Sequence, residues 1–268
     1  MRLVIIAMIF LITSTSAAAC SLRLGSEVSF RPFIDHKNER WQGVTIELLQ
    51  MLAEDIGCQL DIIPSPWLRA LRLVERGELD VLVHMTYSAA RSKEFYFIGP
   101  HHLEEIYLVG ADNAFAGITD VAQLKNYSTG MIAFLNGSYY GQEIDDIISS
   151  HKSNNVFVPI VSNNDKILLL LNNRVDGVLD DIMAFIAWRD DMGRQDKNLK
   201  PILKVYETPV YFGFNKKTIS KEQVEKLADA WQARFADGSI QQIIDKYQVG
   251  EHQLKLLKPD PKISILGL

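Results

Sequence analysis

Cysteine, clusters of basic residues and common catalytic motifs are all scarce in this chain. Two of its 268 residues are cysteines, and 28 Lys and Arg face 33 Asp and Glu, which gives a net charge of -5. No block of basic residues appears, so nucleic-acid binding is not expected. The sequence contains no G-x-S-x-G, H-E-x-x-H or P-loop motif. It therefore gives no support for a hydrolase, a metalloprotease or a nucleotide-binding protein, and we expect neither a metal nor a cofactor.

A long apolar run occurs only near the start of the chain. Arg2 is followed by an unbroken apolar stretch over residues 3–12, then by Ser and Thr, and then by three alanines at 17–19. A positive start, an apolar segment and a small-residue cleavage site are typical of a secretory signal peptide. The apolar segment is shorter than the roughly 20 residues that a membrane-spanning helix needs. We predict a signal peptide over residues 1–19, cleaved after Ala19, and a periplasmic mature protein.

The two cysteines, Cys20 and Cys58, both lie in the exported part. In an oxidising compartment a pair of cysteines more often forms a disulfide than acts as a reagent. Closing the loop between them should stabilise the fold by about 4 kcal/mol. The alternative is a lipid anchor on Cys20, but Ala17 stands where a lipoprotein signal usually has Leu, Ile or Val. The sequence favours the disulfide.

After residue 20, strand-like and helix-like periodicities alternate along the chain. Hydrophobic residues make up 47% of the sequence and its mean hydropathy is +0.01, as in soluble globular proteins of one or two domains. The alternation predicts an α/β protein with largely parallel sheets. Ser162 followed by Asp165, and Ser220 followed by Gln223, mark two helix starts.

A polar turn over residues 85–91 follows a short buried strand over 79–83. Open α/β sheets place their ligand sites at the carboxyl ends of their strands. This turn is therefore the first candidate for a functional site.

Several segments together resemble the bacterial extracellular solute-binding proteins of family 3, which include the polar amino acid receptors of ABC transporters. The resemblance extends over residues 21–247, and no single segment is specific, but their order and spacing indicate the family. The segments are 25–33, 43–57, 77–80, 85–100, 175–181 and 237–247.

The resemblance implies a two-lobed periplasmic binding protein-like fold of type II. Each lobe is a mixed, mostly parallel sheet flanked by helices, and the ligand is enclosed between the lobes by hinge closure. Two strand-like crossovers are expected near residues 107–111 and 206–210. The expected division is lobe 1 over 20–107 and 211–255, lobe 2 over 108–210, and a C-terminal tail over 256–268.

The resemblance also implies the charged contacts of the site. Arg91, five positions after Thr86, matches the family residue that holds an α-carboxylate, which a guanidinium can bind through two parallel hydrogen bonds. Asp181 matches the family's acceptor for the α-ammonium group. The alternatives are a surface arginine beside an acidic neighbour and an aspartate that only starts a helix. Asp180 and Asp176 are then expected to be solvated or turn residues.

Backbone groups and hydroxyls complete the polar contacts that the family implies. His84 and Thr86 occupy strand-end positions that face the ligand, although the His84 side chain can equally be a core histidine. Gly137, Ser138 and Tyr139 precede a helix whose N-terminus attracts an anion. Ser138 is then either a ligand contact, the N-cap of that helix, or both.

The family also places aromatic rings around the ligand's side chain. Phe30 and Trp67 fall at those positions, where each ring would attract a cation by roughly 0.5 to 2 kcal/mol; core packing is the alternative. Glu27 lies where receptors for basic amino acids carry an acid, which favours a cationic side chain. Arg31 instead favours a ligand with a second carboxylate, so the identity of the ligand stays open.

The expected function is binding without catalysis. The protein, a monomer, would capture an amino acid or a similar small zwitterion and present it to an ABC permease or to a membrane receptor. The alternative is a periplasmic enzyme that resembles the cyclohexadienyl or arogenate dehydratases. Glu27 and Asp180 are the candidate general acids for that reaction.

Overall fold

The computed structural model describes residues 20–111, 113–151, 155–191, 198–248 and 253–258. The predicted signal peptide and residues 259–268 of the predicted tail lie outside the described residues. No helix in the described ranges combines the length and apolar character that crossing a membrane requires. The strands are β1 (Cys20–Ser26), β2 (Ser29–Phe30), β3 (Ile34–Lys37), β4 (Arg40–Gln42), β5 (Cys58–Pro64), β6 (Val81–Thr86), β7 (Phe95–Ala111), β8 (Ile132–Leu135), β9 (Phe157–Ile160), β10 (Gly177–Asp181) and β11 (Leu199–Asn215). The α-helices are α1 (Val44–Asp55), α2 (Trp67–Glu75), α3 (Gln142–Ser150), α4 (Asn163–Leu171), α5 (Ile182–Asp191), α6 (Lys221–Ala236) and α7 (Ser239–Asp245).

One mixed sheet of eight strands runs through the molecule in the order β5-β1-β6-β11-β7-β10-β8-β9. The outer strands pair in parallel on both sides, β5 with β1 and β1 with β6 on one, β10 with β8 and β8 with β9 on the other. The central strands β7 and β11 are 17 residues long each and pair antiparallel. The predicted α/β class is confirmed, and the long antiparallel pair is what joins its two parallel halves.

The central pair changes neighbours part-way along its length. β11 pairs with β6 as far as Val210, opposite Thr86, whereas β7 pairs with β10 from Ile106 onward, opposite Asp181. Between these points the residues 103–105 and 207–209 pair with each other. Because the chain passes between the two halves here, we propose these two segments as the crossovers, a few residues before the predicted position on β7.

Each half of the sheet is covered by helices that bury an apolar face. On the β1 side, α1 packs against α6 and α7 and buries Leu49 and Leu52 near Trp231 of α6. On the β8 side, Ile132 and Ile144 pack in a second apolar cluster. Burying one such side chain contributes about 1.5 to 3 kcal/mol. The first cluster also includes Ala133 and Val178 of the β8 side, so the main core extends across both halves.

Both helix starts that the sequence predicts are confirmed. The Asp165 backbone N–H donates to the Ser162 hydroxyl at 3.1 Å. Ser220 forms a full capping box, because its hydroxyl accepts from the Gln223 N–H and its own N–H donates to the Gln223 side chain. Each cap is worth about 1 kcal/mol.

A three-stranded antiparallel sheet, β2-β3-β4, forms between Gly25 and Gly43. Its strands have two to four residues. Strands this short show too few alternations to reveal themselves by periodicity. Phe30 belongs to this small sheet, as the second residue of β2.

A disulfide joins Cys20 and Cys58, which stand opposite each other on β1 and β5 with their Cα atoms 4.4 Å apart. The predicted bridge is confirmed. The bond uses the Cys20 sulfur atom to which a lipid anchor would have to be attached.

Replacing both cysteines with serine should lower the free energy of unfolding by about 4 kcal/mol, because the bridge closes a loop between residues 38 positions apart. Urea denaturation of the variant and of wild type, each with and without a reductant, measures the difference. The reductant should bring wild type to the stability of the variant and leave the variant unchanged. Equal stability of both proteins under oxidising conditions would contradict this expectation.

Candidate ligand-binding site

A cavity lies between the two halves of the molecule, at the carboxyl ends of β1, β6 and β10. Its wall contains nine of the ten predicted site residues. They are Glu27, Phe30, Trp67, His84, Thr86, Arg91, Ser138, Tyr139 and Asp181. The fold thus brings together residues that lie far apart in the sequence, and their role as ligand contacts stays a prediction.

Gly137 is the predicted site residue that does not line the cavity. A Cβ atom at this position would lie 3.2 Å from Leu68 Cδ1 and 3.3 Å from Leu71 Cδ1. Its φ of +83° also favours glycine. Gly137 therefore allows the β8–α3 loop to pack closely on α2 of the opposite half.

Ser138 lines the cavity but does not cap a helix. Its N–H donates to the Leu135 carbonyl at 3.2 Å in a turn. Helix α3 begins at Gln142, with Gly141 at the N-cap position. The alternative that Ser138 is the N-cap of this helix was wrong, because a turn separates Ser138 from the start of α3.

Arg91 is presented to the cavity by the turn that follows β6. Its N–H donates to the Ser88 hydroxyl at 3.2 Å, and its Nη1 donates to the Thr86 carbonyl at 3.1 Å. In the described chain, no carboxylate lies within 4.0 Å of the guanidinium, not even that of Glu94. Burial lowers the pKa of Arg91, yet a guanidinium keeps its charge in proteins. It therefore has donors left for an anion.

Asp181 starts a helix, as one of the two alternatives predicts, and it also lies in the cavity wall; its role as an acceptor for an ammonium group stays a prediction. Its Oδ1 accepts from the N–H groups of Met183 and Ala184 at 2.8 and 3.1 Å, which caps α5. Its Oδ2 accepts from the Glu105 N–H at 3.3 Å. Burial raises the pKa of Asp181 well above its usual range, and the nearby Glu104 carboxylate raises it further.

Asp180 is not the solvated residue that the sequence led us to expect. It is 2% exposed, and its two oxygens contact Lys166 Nζ at 2.7 Å and Trp188 Nε1 at 3.0 Å. Lys166 also donates to Asn163 Oδ1 at 2.8 Å. Asp180 was misjudged because its partners come from α4 and α5 and no local signal pairs them with it. Asp176 is exposed, as expected.

His84 faces the cavity through an irregularity in β6. The pairing with β11 shifts by one residue between Leu82 and Met85, and His84 has a φ of +55°. A bulge of this kind redirects a side chain. The His84 Nε2 lies 3.0 Å from the Thr45 hydroxyl, and its Nδ1 lies 3.9 Å from Glu104 Oε1.

The aromatic residues serve the core and the cavity at once. The Phe30 ring centroid lies 5.2 Å from that of Phe33 and 5.3 Å from that of His84. Trp67 is the first residue of α2, and its buried Nε1 has no hydrogen-bond partner in the described chain. Both rings are partly buried against the core and also line the cavity.

Glu27 reaches across the cavity to the opposite half. Its Oε2 accepts from the Asn163 N–H at 3.0 Å, and its Oε1 is buried without a hydrogen-bond partner in the described chain. Burial raises the pKa of Glu27.

Arg31 lies outside the cavity wall. It pairs with Asp191 at the end of α5 and approaches Asp35 at 3.8 Å. The expectation that Arg31 favours a ligand with a second carboxylate is not supported, because two protein acids already accompany its charge.

Sequence reasoning missed six polar residues of the cavity wall, which are Ser26, Ser65, Glu104, Tyr140, Asn163 and Lys166. For Lys166 and Asn163 the only signal was a helical period, and Tyr140 is next to a predicted contact. Glu104 had a usable signal, since it forms an acidic doublet with Glu105 within a mainly apolar strand. Side chains alternate across a strand, so one of the two had to face inward.

The model of the bacterial extracellular solute-binding proteins, family 3, matches residues 22–250. The chain belongs to this family. It is therefore a secreted solute-binding protein, and cleavage after Ala19 stays a prediction.

One relative of this solute-binding protein is the putative ABC transporter arginine-binding protein 2 of Escherichia coli (strain K12). It is 28% identical over 200 residues, which cover 71% of this chain and 75% of that protein. A solved structure of an ancestral arginine-binding protein bound to arginine has a TM-score of 0.73 at 21% identity, covering 85% of this chain and 97% of that one.

An ancestral amino acid-binding protein, a precursor of cyclohexadienyl dehydratase, has a TM-score of 0.69 at 18% identity and covers 85% of this chain and 94% of that one. These structural likenesses confirm the predicted two-lobed fold of type II.

Lys166→Ala should destabilise this solute-binding protein by about 3 to 5 kcal/mol, because it leaves Asp180 buried without a counter-charge. Urea denaturation measures the change. Lys226→Ala is the matched control, since its pair with Glu222 is exposed at 59% and 78% and exposed ion pairs contribute little to stability. Similar small losses in both variants would contradict a structural role for the buried pair.

Proposed function

We propose that this solute-binding protein captures a cationic amino acid such as arginine between its lobes and delivers it to an ABC importer. The proposal rests on one observation, which is the balance of unpaired charge in the cavity. The relatives indicate the class of ligand, which is an amino acid, and the charges of the cavity indicate that its side chain is cationic.

The cavity wall has more acids than bases once its internal ion pair is set aside. The Lys166–Asp180 pair neutralises itself at 2.7 Å. The remaining charged groups are one base, Arg91, and three acids, Glu27, Glu104 and Asp181. A zwitterion with a neutral side chain would leave the excess negative charge uncompensated, whereas a cationic side chain brings one more positive charge into a poorly solvated site.

The positions of these groups match the two ends of such a ligand. Arg91 has free donors for the α-carboxylate, and Asp181 is an acceptor for the α-ammonium group. Glu27 keeps one buried oxygen without a partner, which a guanidinium or ammonium at the end of the side chain would satisfy. Phe30 and Trp67 line the space for the apolar stem, and their faces attract a cation.

Affinity for this ligand depends on both lobes at once. Arg91 follows β6 in one half of the sheet, and Asp181 ends β10 in the other. A ligand held by both groups favours the closed arrangement by the difference between its affinities for the closed and open states. Closure also removes water and strengthens each charge contact.

The competing proposal is an enzyme on the same scaffold. Its best support is Glu27, a buried cavity acid with a raised pKa, as a general acid requires. Asp180, the other candidate acid, already holds Lys166 and Trp188. Incubation with prephenate or arogenate, followed by assay of phenylpyruvate or phenylalanine, tests catalysis, and we expect no turnover.

L-arginine should raise the melting temperature of wild type, and Arg91→Ala or Asp181→Asn should abolish the shift. Asparagine keeps the helix cap of α5 and removes the charge, so the second variant tests binding rather than folding. A ligand at 100 times its Kd stabilises by about 2.7 kcal/mol, well within the range of differential scanning fluorimetry.

Arg76→Ala, which removes an arginine 69% exposed, is the control and should respond as wild type does. L-citrulline, which has a neutral side chain, should bind about tenfold more weakly or worse, since charged hydrogen bonds contribute about 1.5 to 3 kcal/mol. Normal arginine shifts in both site variants would overturn the assigned contacts. Equal affinity for citrulline would overturn the cationic preference.

A further inference from the structure

Glu104 is a cavity residue that the predicted ligand contacts do not include. It lies on β7 in the segment between the two halves of the sheet, and its side chain is 13% exposed. No Lys or Arg in the described ranges lies within 4.0 Å of its carboxylate. His84 Nδ1 lies 3.9 Å from Glu104 Oε1, and that nitrogen has no hydrogen-bond partner in the described chain.

The neighbouring residue shows what a structural acid on this strand looks like. Glu105 points to the other side of β7, where its Oε1 lies 3.2 Å from Lys204 Nζ and 3.2 Å from Lys255 Nζ. Two lysines therefore balance the charge of Glu105. The side chain of Glu104 is directed into the cavity and has no such partner.

Glu104 lies close to Asp181 because of the strand register. β7 and β10 pair antiparallel with Asp181 opposite Ile106, and the N–H of Glu105 donates to Asp181 Oδ2. Both carboxylates line the same cavity. Two acids from different strands therefore meet where the ligand's ammonium group is expected.

We propose that Glu104 is a specificity-determining residue that forms, with Asp181, a two-carboxylate seat for the primary ammonium group of the ligand. The proposal rests on the proposed function and deepens it. In the empty protein the seat retains one proton, and the incoming ammonium group displaces that proton to the solvent.

The seat retains a proton because two groups of like charge lie close together in a buried site. Two nearby carboxylates disfavour the ionisation of each other, and the pKa of Asp181 is raised by burial and by Glu104. The other titratable or charged groups that face the seat are His84 of β6, Arg91 after β6, Tyr140 before α3, and Asp180 with its partner Lys166. Of these, only Arg91 brings an unpaired positive charge, and the ligand's carboxylate would occupy it.

The seat favours a ligand whose amine is a primary ammonium group. A primary ammonium group can donate to both carboxylates through charge-assisted hydrogen bonds. An N-acetylated amine carries no charge and one N–H, so it would leave at least one buried acid unsatisfied. We therefore expect this protein to reject N-acetyl-L-arginine.

Glu104→Gln tests the proposal, with Glu105→Gln as the matched control on the same strand. Isothermal titration calorimetry with L-arginine near neutral pH, in phosphate and in Tris, gives the affinity and the protons released. Wild type should release a proton, seen as a binding enthalpy that depends on the buffer. Glu104→Gln should bind about tenfold more weakly and lose that dependence, whereas Glu105→Gln should behave as wild type.

A second measurement needs no ligand. An acid with a raised pKa in the folded state stabilises the fold at low pH, and that contribution is lost as the pH rises through the folded-state pKa. Removing the Glu104 charge lowers the pKa of Asp181, so Glu104→Gln should lose less thermal stability than wild type from about pH 5 to about pH 8. Glu105→Gln should not show this change.

The outcomes separate this proposal from the proposed function. If wild type binds L-arginine and Glu104→Gln matches it in affinity, proton release and pH profile, the seat is wrong and the function stands. If wild type does not bind L-arginine but Glu104→Gln still flattens the pH profile, the acid pair stands and the cationic amino acid is wrong. If neither occurs, both proposals are overturned.

Discussion

The structure depends on a cavity between two lobes in which charges are buried without enough partners from the protein. Burying a charge is costly unless it is paired. Lys166 and Asp180 meet this requirement with each other. Arg91 and Asp181 face the cavity with hydrogen bonds but with no counter-charge within 4.0 Å, and no Lys or Arg of the described chain pairs with Glu104. Such an arrangement is unfavourable for an empty protein and favourable for a complex, because a ligand with both signs of charge supplies what is missing.

The fold makes this arrangement possible by drawing the site from both halves of the sheet. β7 and β11 are the strands that belong to both halves, and the cavity lies beside the segment where they change neighbours. Polar contacts cross the cavity, as between Glu27 and the N-terminus of α4, and so does the packing of Gly137 on α2. One apolar cluster includes both Trp231 on the β1 side and Val178 on the β8 side. The cavity therefore lies between two halves that share part of one core.

The sequence was sufficient to predict features that depend on residues close together in the chain. It was insufficient for features that depend on partners far apart in the chain. Helix caps such as Ser162 with Asp165 involve residues three positions apart, so their geometry follows from the chain itself. Arg91 and Asp181 could be proposed because a family pattern carries long-range information that periodicity does not. Asp180 was misjudged because Lys166 is 14 residues away and becomes its partner only after β10 and α4 pack. The same limit hid the pairing of Arg31 with Asp191.

Glu104 and Glu105 show how the same side chain acquires different roles from strand geometry alone. They are adjacent, identical in chemistry and part of one strand, yet alternation sends one to two lysines and the other to a cavity with one arginine. A structural acid is compensated by the protein, whereas a binding acid waits for its counter-charge from outside. By this criterion Asp180 is a structural acid, whereas Glu27, Glu104 and Asp181 are acids that the protein leaves without a counter-charge. Because the excess is negative, the proposed ligand carries more positive than negative charge.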